Sequence, residues 1–169
     1  MTKIGFIGLG NVGAKLSGSL LRNGTDLMVR DLNKDAAAPL LAVGALWADS
    51  PKQMAEMCDV IITCLPSPTI SAAVIEAEDG VLAGFGPGKI WAEMSTTDET
   101  EIHRLAALVA KKGGGLSTVL CLVAVTAQQR EIYLSLRAVT EMYLMKCCRT
   151  LQRWGAVFYI QARLARRRF

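Results

Sequence analysis

Short apolar runs alternate with longer segments of mixed polarity along the first 115 residues. The apolar runs have strand length, whereas the segments between them are long enough for helices and several end at glycines. Strands are predicted at 4–7, 27–29, 59–65 and 89–94, and helices at about 11–22, 33–43, 51–57, 69–77 and 97–112. Strands that alternate with helices in this way predict an α/β fold with a doubly wound parallel sheet.

The first predicted strand runs directly into a G-x-G-x-x-G motif, formed by Gly8, Gly10 and Gly13. The first glycine allows a tight turn, the second lets the backbone approach a pyrophosphate, and the third lets a helix pack closely. The N-terminus of the following helix offers N–H groups and a partial positive charge to phosphates. In this context the motif predicts a Rossmann-type dinucleotide site rather than an ordinary turn.

A carboxylate is predicted at the tip of the second strand. Asp31 follows the apolar run 27–29 and lies 18 residues after Gly13. A carboxylate there can accept hydrogen bonds from both hydroxyls of an adenosine ribose, and it repels a 2′-phosphate. The sequence therefore favours NAD over NADP. The neighbouring Arg30 supports the alternative, because an arginine at this point can pair with the 2′-phosphate.

Three loops follow the carboxyl ends of predicted strands. They are the glycine-rich loop 8–13, the turn 65–67 and the polar segment 95–97. Ligands of open parallel sheets bind beyond the carboxyl ends of the strands, so we expect these loops to converge on one site. The hydroxyls of 95–97 have a second interpretation, since Ser and Thr also cap helices.

Composition narrows the class of protein. The chain has 169 residues, 51% of them hydrophobic, which permits a buried core and excludes a disordered chain. No apolar run has the length of a membrane span, and the N-terminus enters a strand without a signal-peptide pattern. The five cysteines have neither metal-site spacing nor an even disulfide framework. Cys58 and Cys64 flank a predicted buried strand and are interpreted as core thiols. We expect a protein of the cytoplasm or an organelle matrix that is not secreted and binds no metal.

Four stretches form a recognisable series: I-G-F-I-G-L-G-N-V-G at 4–13, C-D-V-I-I-T-C-L-P at 58–66, D-G-V-L at 79–82 and E-M-S-T-T at 93–97. In order and spacing the chain resembles the β-hydroxyacid dehydrogenases, the family that includes 3-hydroxyisobutyrate and tartronate semialdehyde dehydrogenases. The resemblance covers about residues 1–113. Two departures are mild: Val12 replaces the usual methionine, and Glu93 replaces the usual aspartate.

The resemblance implies a function and a role for individual residues. The family transfers hydride between a small 3-hydroxy acid and a nicotinamide cofactor. Ser95 is implied to lie near the substrate, and Thr96 beside the nicotinamide. The implied cofactor-binding residues are Gly8, Leu9, Gly10, Asn11, Val12, Gly13, Asp31, Leu65, Pro66 and Thr96.

Two features of the family do not occur in this sequence. The family continues with a substrate-binding D-x-P-V-S-G-G motif and a helical domain whose lysine acts as general acid and base. The only lysine after Lys112 is Lys146, whose neighbours match nothing in the family, and we interpret it as a solvated side chain. No residue is therefore assigned a catalytic role, and we expect dinucleotide binding with little or no turnover. His103 is expected at the surface.

The composition changes sharply near residue 115. Residues 1–115 contain ten lysines and arginines against thirteen acids, whereas residues 116–169 contain nine against two. Reading the possible codons of 116–125 from their third base allows F-D-x-P-V-S-G-G, and those of 130–139 allow G-N-I-S-L-F-A-G-G. We hypothesise a one-position change of reading frame between about residues 112 and 116, which would also explain an early end at Phe169. The chain is divided into a dinucleotide-binding domain, 1–115, and a tail without family match, 116–169.

The tail has other interpretations. Its scattered apolar residues could form amphipathic helices over the sheet, or the segment could be disordered. Arg166–Arg168 could contact nucleic acid or anionic lipid, but a short basic end is more often solvated, so we expect neither partner. We expect self-association or aggregation through exposed apolar surface. The alternative functions are a non-catalytic dinucleotide-binding module with a basic interaction tail, and a basic-tailed protein that binds polyanions.

Overall fold

Six parallel strands form a single sheet in this protein, as described by a computed structural model. The described residues are 2–95 and 99–118. The strands are β1 (Lys3–Ile7), β2 (Asp26–Arg30), β3 (Leu46–Trp47), β4 (Val60–Thr63), β5 (Ile90–Glu93) and β6 (Gly115–Thr118). Their order across the sheet is β3-β2-β1-β4-β5-β6, so the direction of winding reverses between β1 and β4.

Helices cover both faces of this sheet. They are α1 (Gly13–Arg22), α2 (Ala38–Leu41), α3 (Pro51–Met57), α4 (Pro68–Glu76), α5 (Val81–Gly84) and α6 (Glu99–Lys111), with a 3-10 turn at Lys34–Ala37. One hydrophobic cluster contains Leu16 of α1 and Leu40 of α2. A second cluster contains Met54 of α3 and Leu105 of α6. The two clusters confirm the predicted doubly wound α/β fold.

The strand β4 lies between β1 and β5 and is buried along its whole length. A strand covered on both faces requires a nearly continuous apolar run, which is the pattern that predicted it. Cys58, expected in the core, is buried just before this strand. Burial raises the pKa of the Cys58 thiol to about 11, so it stays protonated and unreactive at neutral pH. Cys64, also expected in the core, is only half-buried.

Side chains cap the N-termini of two predicted helices. The Ser50 hydroxyl accepts the N–H of Gln53 over 3.0 Å, and Pro51 is the first residue of α3. The Asn33 side chain accepts the N–H of Asp35, also over 3.0 Å. In each case a side chain satisfies an N–H group that the first turn cannot pair internally.

The helix predicted at 33–43 is shorter and begins as a 3-10 turn. Pro39 has no N–H and cannot donate to the carbonyl of Asp35, which interrupts the α-helical ladder. The N–H of Ala38 bonds to that carbonyl instead. The helix α2 ends at Leu41, and Gly44, with φ of +104°, lies in the turn that follows, close to the predicted stop.

Several elements were not predicted. β3 has two residues and α5 has four, which is too short for a periodic pattern to be recognised. The helix predicted from about residue 69 begins one residue earlier, because Pro68 is the first residue of α4. The hydroxyl of Ser67 accepts the N–H of Ile70 over 3.3 Å and caps this helix.

The sheet continues past the predicted domain boundary at residue 115. β6 pairs in parallel with β5, with Ile90 opposite Gly115 and Glu93 opposite Thr118. The turn into β6 contains Gly113, with φ of +77°, where α6 was predicted to end. The expectations for Lys146, for Arg166–Arg168 and for helix or disorder in the tail lie outside the described residues.

Candidate functional site

The loop between β1 and α1 is shaped by the glycines of the motif. Gly8 follows β1 directly and has φ of +98°, a conformation that residues with a Cβ rarely adopt. Its N–H donates to the carbonyl of Arg30 over 3.0 Å. A Cβ on Gly8 would lie 2.3 Å from the carbonyl oxygen of Cys64, so the position has no room for a side chain.

Gly10 differs from the other two glycines because it borders open space. A Cβ built on Gly10 meets no heavy atom within 4 Å, whereas one built on Gly13 collides with the carbonyl of Gly8. Gly13 is thus needed for the loop itself to close. A side chain at Gly10 would leave the loop intact but fill the space by which a ligand reaches the backbone.

The N-terminus of α1 lies within this motif and has no side-chain cap, because Val12 at the N-cap carries no polar side-chain atom. Ala14 donates its N–H to the carbonyl of Gly10 over 3.0 Å. The N–H groups of a first turn have no partner within their own helix, and they carry the positive end of the helix dipole. Both properties favour a phosphate at this point.

Asp31 joins the end of β2 to the glycine-rich loop. Its Oδ2 accepts the N–H of Leu9 over 2.6 Å, and its Oδ1 accepts the N–H of Asn33 over 2.9 Å. Each carboxylate oxygen retains a further lone pair, so the group can still accept hydroxyl protons. Asp31, the residue predicted to bind the ribose, therefore lies beside the loop predicted to bind the pyrophosphate.

Arg30, the residue that favoured NADP in the sequence, is engaged at the β3 edge of the sheet. Its Nη1 donates to the carbonyls of Ala48 and Asp49 over 3.1 and 2.6 Å. Its guanidinium lies 5.9 Å from the ring centre of Trp47, and Lys34 Nζ lies 5.4 Å from the same centre. Both distances fit cation–π contacts.

The loops after β4 and β5 meet through Leu65 and Ser95. The Ser95 hydroxyl accepts the N–H of Leu65 over 2.7 Å. A Cβ built on Gly8 would lie 3.1 Å from Leu65 Cδ2, so the Leu65 side chain lies beside the glycine-rich loop. The predicted convergence of the three loops is confirmed within the described residues. The alternative interpretation of 95–97 as a helix cap depends on residues 96–98, which lie outside the described residues.

Below this contact lies a buried carboxyl group, Glu93, which is 1% exposed. Burial raises the pKa of Glu93 above its ordinary value, and hydrogen bonds from Ser95 and Thr63 act in the opposite direction. Ser71 of α4 adds a weaker lowering, although its buried hydroxyl makes no hydrogen bond of normal length within the described residues. Sequence reasoning missed Thr63, whose signal was a lone hydroxyl near the end of a strand otherwise apolar from Val60 to Ile62.

The remaining predicted residues lie around the same edge of the sheet. Asn11 and Pro66 are exposed, whereas the Leu9 side chain is buried in the core and its N–H is bonded to Asp31. Thr96 lies outside the described residues. His103 is exposed on α6, which confirms the predicted surface position.

Two kinds of site find no support in the described part of the chain. No group of three or more His, Cys, Asp and Glu side chains there could hold a metal ion. No helix in residues 2–95 and 99–118 is long and apolar enough to cross a membrane.

The strand order, the glycine-rich loop and the carboxylate at the tip of β2 together define a dinucleotide-binding domain of the Rossmann type. Residues 3–132 match the NAD binding domain of 6-phosphogluconate dehydrogenase. The chain therefore belongs to this family, which includes the 3-hydroxyisobutyrate dehydrogenases. The match includes residues 116–132, which the sequence analysis assigned to the tail.

Individual relatives are similar over the same region. The cytokine-like nuclear factor N-PAC of Danio rerio is 30% identical over 78% of this chain and 31% of its own length. The 3-hydroxyisobutyrate dehydrogenase of Mycobacterium tuberculosis, solved with L-serine, is 30% identical, with a TM-score of 0.63 over 69% of this chain and 39% of its own. Psf3 in complex with NADP+ and 2-OPP is 27% identical, with a TM-score of 0.64 over 67% and 40% of the two chains.

These relatives are much longer than the matched region. The chain spans between about a fifth and a third of the N-PAC proteins that it matches. The similarity therefore concerns the nucleotide-binding domain, and the activity of the whole relatives does not follow from it.

Proposed function

We propose that this chain is the cofactor domain of an oxidoreductase that transfers hydride between a small 3-hydroxy acid and a nicotinamide cofactor. The observation that carries the proposal is the open space at Gly10 beside a carboxylate fixed at the tip of β2. Gly10 and the first turn of α1 would hold the pyrophosphate, and Asp31 the adenosine ribose. The bound nicotinamide would supply the hydride chemistry.

The chain itself is proposed to bind the dinucleotide with little or no turnover. The sequence contains neither the D-x-P-V-S-G-G motif nor a lysine in a family context. Proton transfer to or from the substrate hydroxyl needs a positioned acid or base. In the family a lysine has this role, and no lysine of this sequence corresponds to it. Turnover above background with small 3-hydroxy acids and NAD+ would contradict this part of the proposal.

NAD is proposed as the preferred cofactor. A 2′-phosphate next to Asp31 would face a carboxylate, while the guanidinium of Arg30 is already bonded to two carbonyls near β3. Lys34 is the cation that could favour NADP instead, although it lies against Trp47. The related protein Psf3 was solved with NADP+, so the preference of this chain must be measured directly.

Fluorescence titration with NADH and NADPH tests both the function and the preference. We expect the chain to bind NADH more tightly than NADPH. Asp31→Asn should reduce that preference by about tenfold, because it removes the repelling charge while keeping one acceptor oxygen. Asp35→Asn is the matched control, since it removes an exposed acid four residues away. A chain that binds neither dinucleotide would refute the proposed function.

A second candidate is a non-catalytic dinucleotide-binding module with a basic interaction tail. It is supported by the similarity to the nuclear factor N-PAC and by the excess of arginine after residue 116. The two candidates differ in whether the tail is encoded in its correct frame. We propose the frame change near residues 112–116, because the charge balance changes there and the hidden D-x-P-V-S-G-G reading begins within β6.

A further inference from the structure

The buried carboxyl group of Glu93, at the end of β5, accepts hydrogen bonds from the end of β4 and from the loop after β5. Its Oε2 accepts the hydroxyl proton of Thr63 on β4 over 3.0 Å. Its Oε1 accepts the N–H of Ser95 over 2.8 Å and also the hydroxyl proton of Ser95. A side chain that is 1% exposed thus takes at least three hydrogen bonds from two neighbouring strand ends.

The direction of each hydroxyl proton follows from the other partners. Trp91 Nε1 donates to Thr63 Oγ1 over 2.7 Å, and the N–H of Leu65 donates to Ser95 Oγ over 2.7 Å. Each hydroxyl has a single proton, and each already accepts an N–H, so each is arranged to donate its proton to Glu93. The carboxyl group is surrounded by donors, which offset part of the effect of burial on its pKa.

This network reaches the glycine-rich loop through two intermediate residues, Ser95 and Leu65. Glu93 holds the Ser95 hydroxyl, and that hydroxyl holds the backbone of Leu65. The Leu65 side chain in turn lies beside Gly8, as the 3.1 Å separation from a Cβ built there indicates. The position of the loop after β4 therefore depends on the buried carboxyl group of Glu93, which does not itself border the glycine-rich loop.

We propose that Glu93 is a positioning residue, whose carboxylate orients Ser95 and through it fixes Leu65 against the glycine-rich loop. The consequence for ligand binding rests on the proposed function, because it assumes that this loop holds a dinucleotide. Glu93 is not proposed to contact the ligand, since it acts through Ser95. Loss of the acceptor should release the N–H of Leu65 and widen the range of positions that this loop adopts.

Three variants separate positioning from general stability. Glu93→Ala removes the acceptor. Glu93→Asp retains a carboxylate that can still accept the N–H two residues later. Asp59→Ala is the matched control, because Asp59 Oδ2 accepts the N–H of Lys3 over 2.9 Å at the opposite edge of the sheet. If Glu93→Ala does not fold, Glu93→Leu keeps the volume and carries the same expectation.

Amide hydrogen exchange of the unliganded protein is the decisive measurement. We expect exchange at Leu65 to accelerate by about tenfold or more in Glu93→Ala and to stay near wild type in Glu93→Asp and Asp59→Ala. Ser95→Ala should accelerate the same amide, and the double variant with Glu93→Ala should add nothing further. Unchanged exchange at Leu65 in Glu93→Ala would overturn the proposal.

Titration with NADH then decides whether this positioning affects the ligand. Glu93→Ala should weaken NADH binding by about tenfold, equivalent to about 1.4 kcal/mol, while Asp59→Ala should not. Equal affinities in these two variants would overturn the link to binding. A wild-type chain that binds no NADH would refute the proposed function, and the exchange result would still decide the role of Glu93.

Discussion

Gly13 at the start of α1 lies so close to Gly8 that a Cβ built on Gly13 would stand 1.9 Å from the Gly8 carbonyl oxygen. The third glycine of the motif is therefore needed for the fold of the loop itself, whether or not a ligand binds. This contact separates the roles of the three glycines, since Gly10 has no comparable neighbour.

Replacing Gly13 by alanine should destabilise the protein. The added methyl group must displace a backbone carbonyl, and forced shifts of this kind typically cost about 1–3 kcal/mol. Gly18→Ala in the same helix is the control, because its Cβ would make only ordinary contacts, the nearest being 3.4 Å from Arg22 Nη1. That variant should be neutral or stabilise by up to about 1 kcal/mol, as alanine favours helix over glycine. Urea unfolding of both variants measures the difference, and equal stabilities would contradict the steric argument.

Replacing Gly10 by alanine should impair dinucleotide binding without loss of stability. The methyl group meets no protein atom within 4 Å. On the proposed function, however, it would lie where the pyrophosphate approaches the backbone. We expect affinity for NADH to fall by about tenfold or more with an unchanged melting temperature. Gly86→Ala, which also has open space around its Cβ but precedes β5 at the other edge of the sheet, should change neither. Normal NADH binding by Gly10→Ala would place the ligand elsewhere.

The contribution of Glu93 to stability should fall as the pH rises above the ordinary range for a glutamate. Burial raises the pKa of Glu93 in the folded state, whereas the unfolded chain titrates normally. Between the two values the folded state holds a proton that the unfolded state has released, so the stabilisation present at low pH is lost as the pH rises through the folded pKa. The slope cannot exceed about 1.4 kcal/mol per pH unit for one group.

Unfolding free energies of wild type and Glu93→Gln, measured at a series of pH values from about 4 upward, test this pH dependence. The glutamine variant cannot titrate at this position, so the difference between the two curves isolates Glu93. Parallel curves would show that the Glu93 pKa is the same in the folded and unfolded states.

The coding DNA across codons 108–142 should contain a single inserted or deleted base. Restoring it should yield D-x-P-V-S-G-G beginning within β6, because the third-base reading of 116–125 permits that motif. Codons 1–107, which encode the matching stretches, serve as the internal control and should need no correction. If no alternative frame encodes the motif, the frame hypothesis is wrong and the non-catalytic module becomes the better proposal.

The parts of the fold that could be predicted are those determined by neighbouring residues. The glycine-rich loop follows its strand directly, and the Ser50 cap stands three residues from the N–H group it accepts. The network around Glu93 could not be predicted in this way, because Thr63 and Glu93 are thirty residues apart and meet only through strand register. The predicted start of the helix at residue 33 was wrong, because α2 begins only at Ala38. The reason is local and visible in the sequence, since it is the proline at residue 39.

The carboxylate of Asp31 is already immobilised by the N–H groups of Leu9 and Asn33. Folding, rather than the arrival of a ligand, has therefore removed the rotational freedom of this side chain. A ligand that hydrogen-bonds to Asp31 loses little additional entropy in ordering it, so more of the interaction energy contributes to affinity. The same immobility would support the proposed preference for NAD, since a fixed Asp31 cannot turn away from the additional negative charge of a 2′-phosphate.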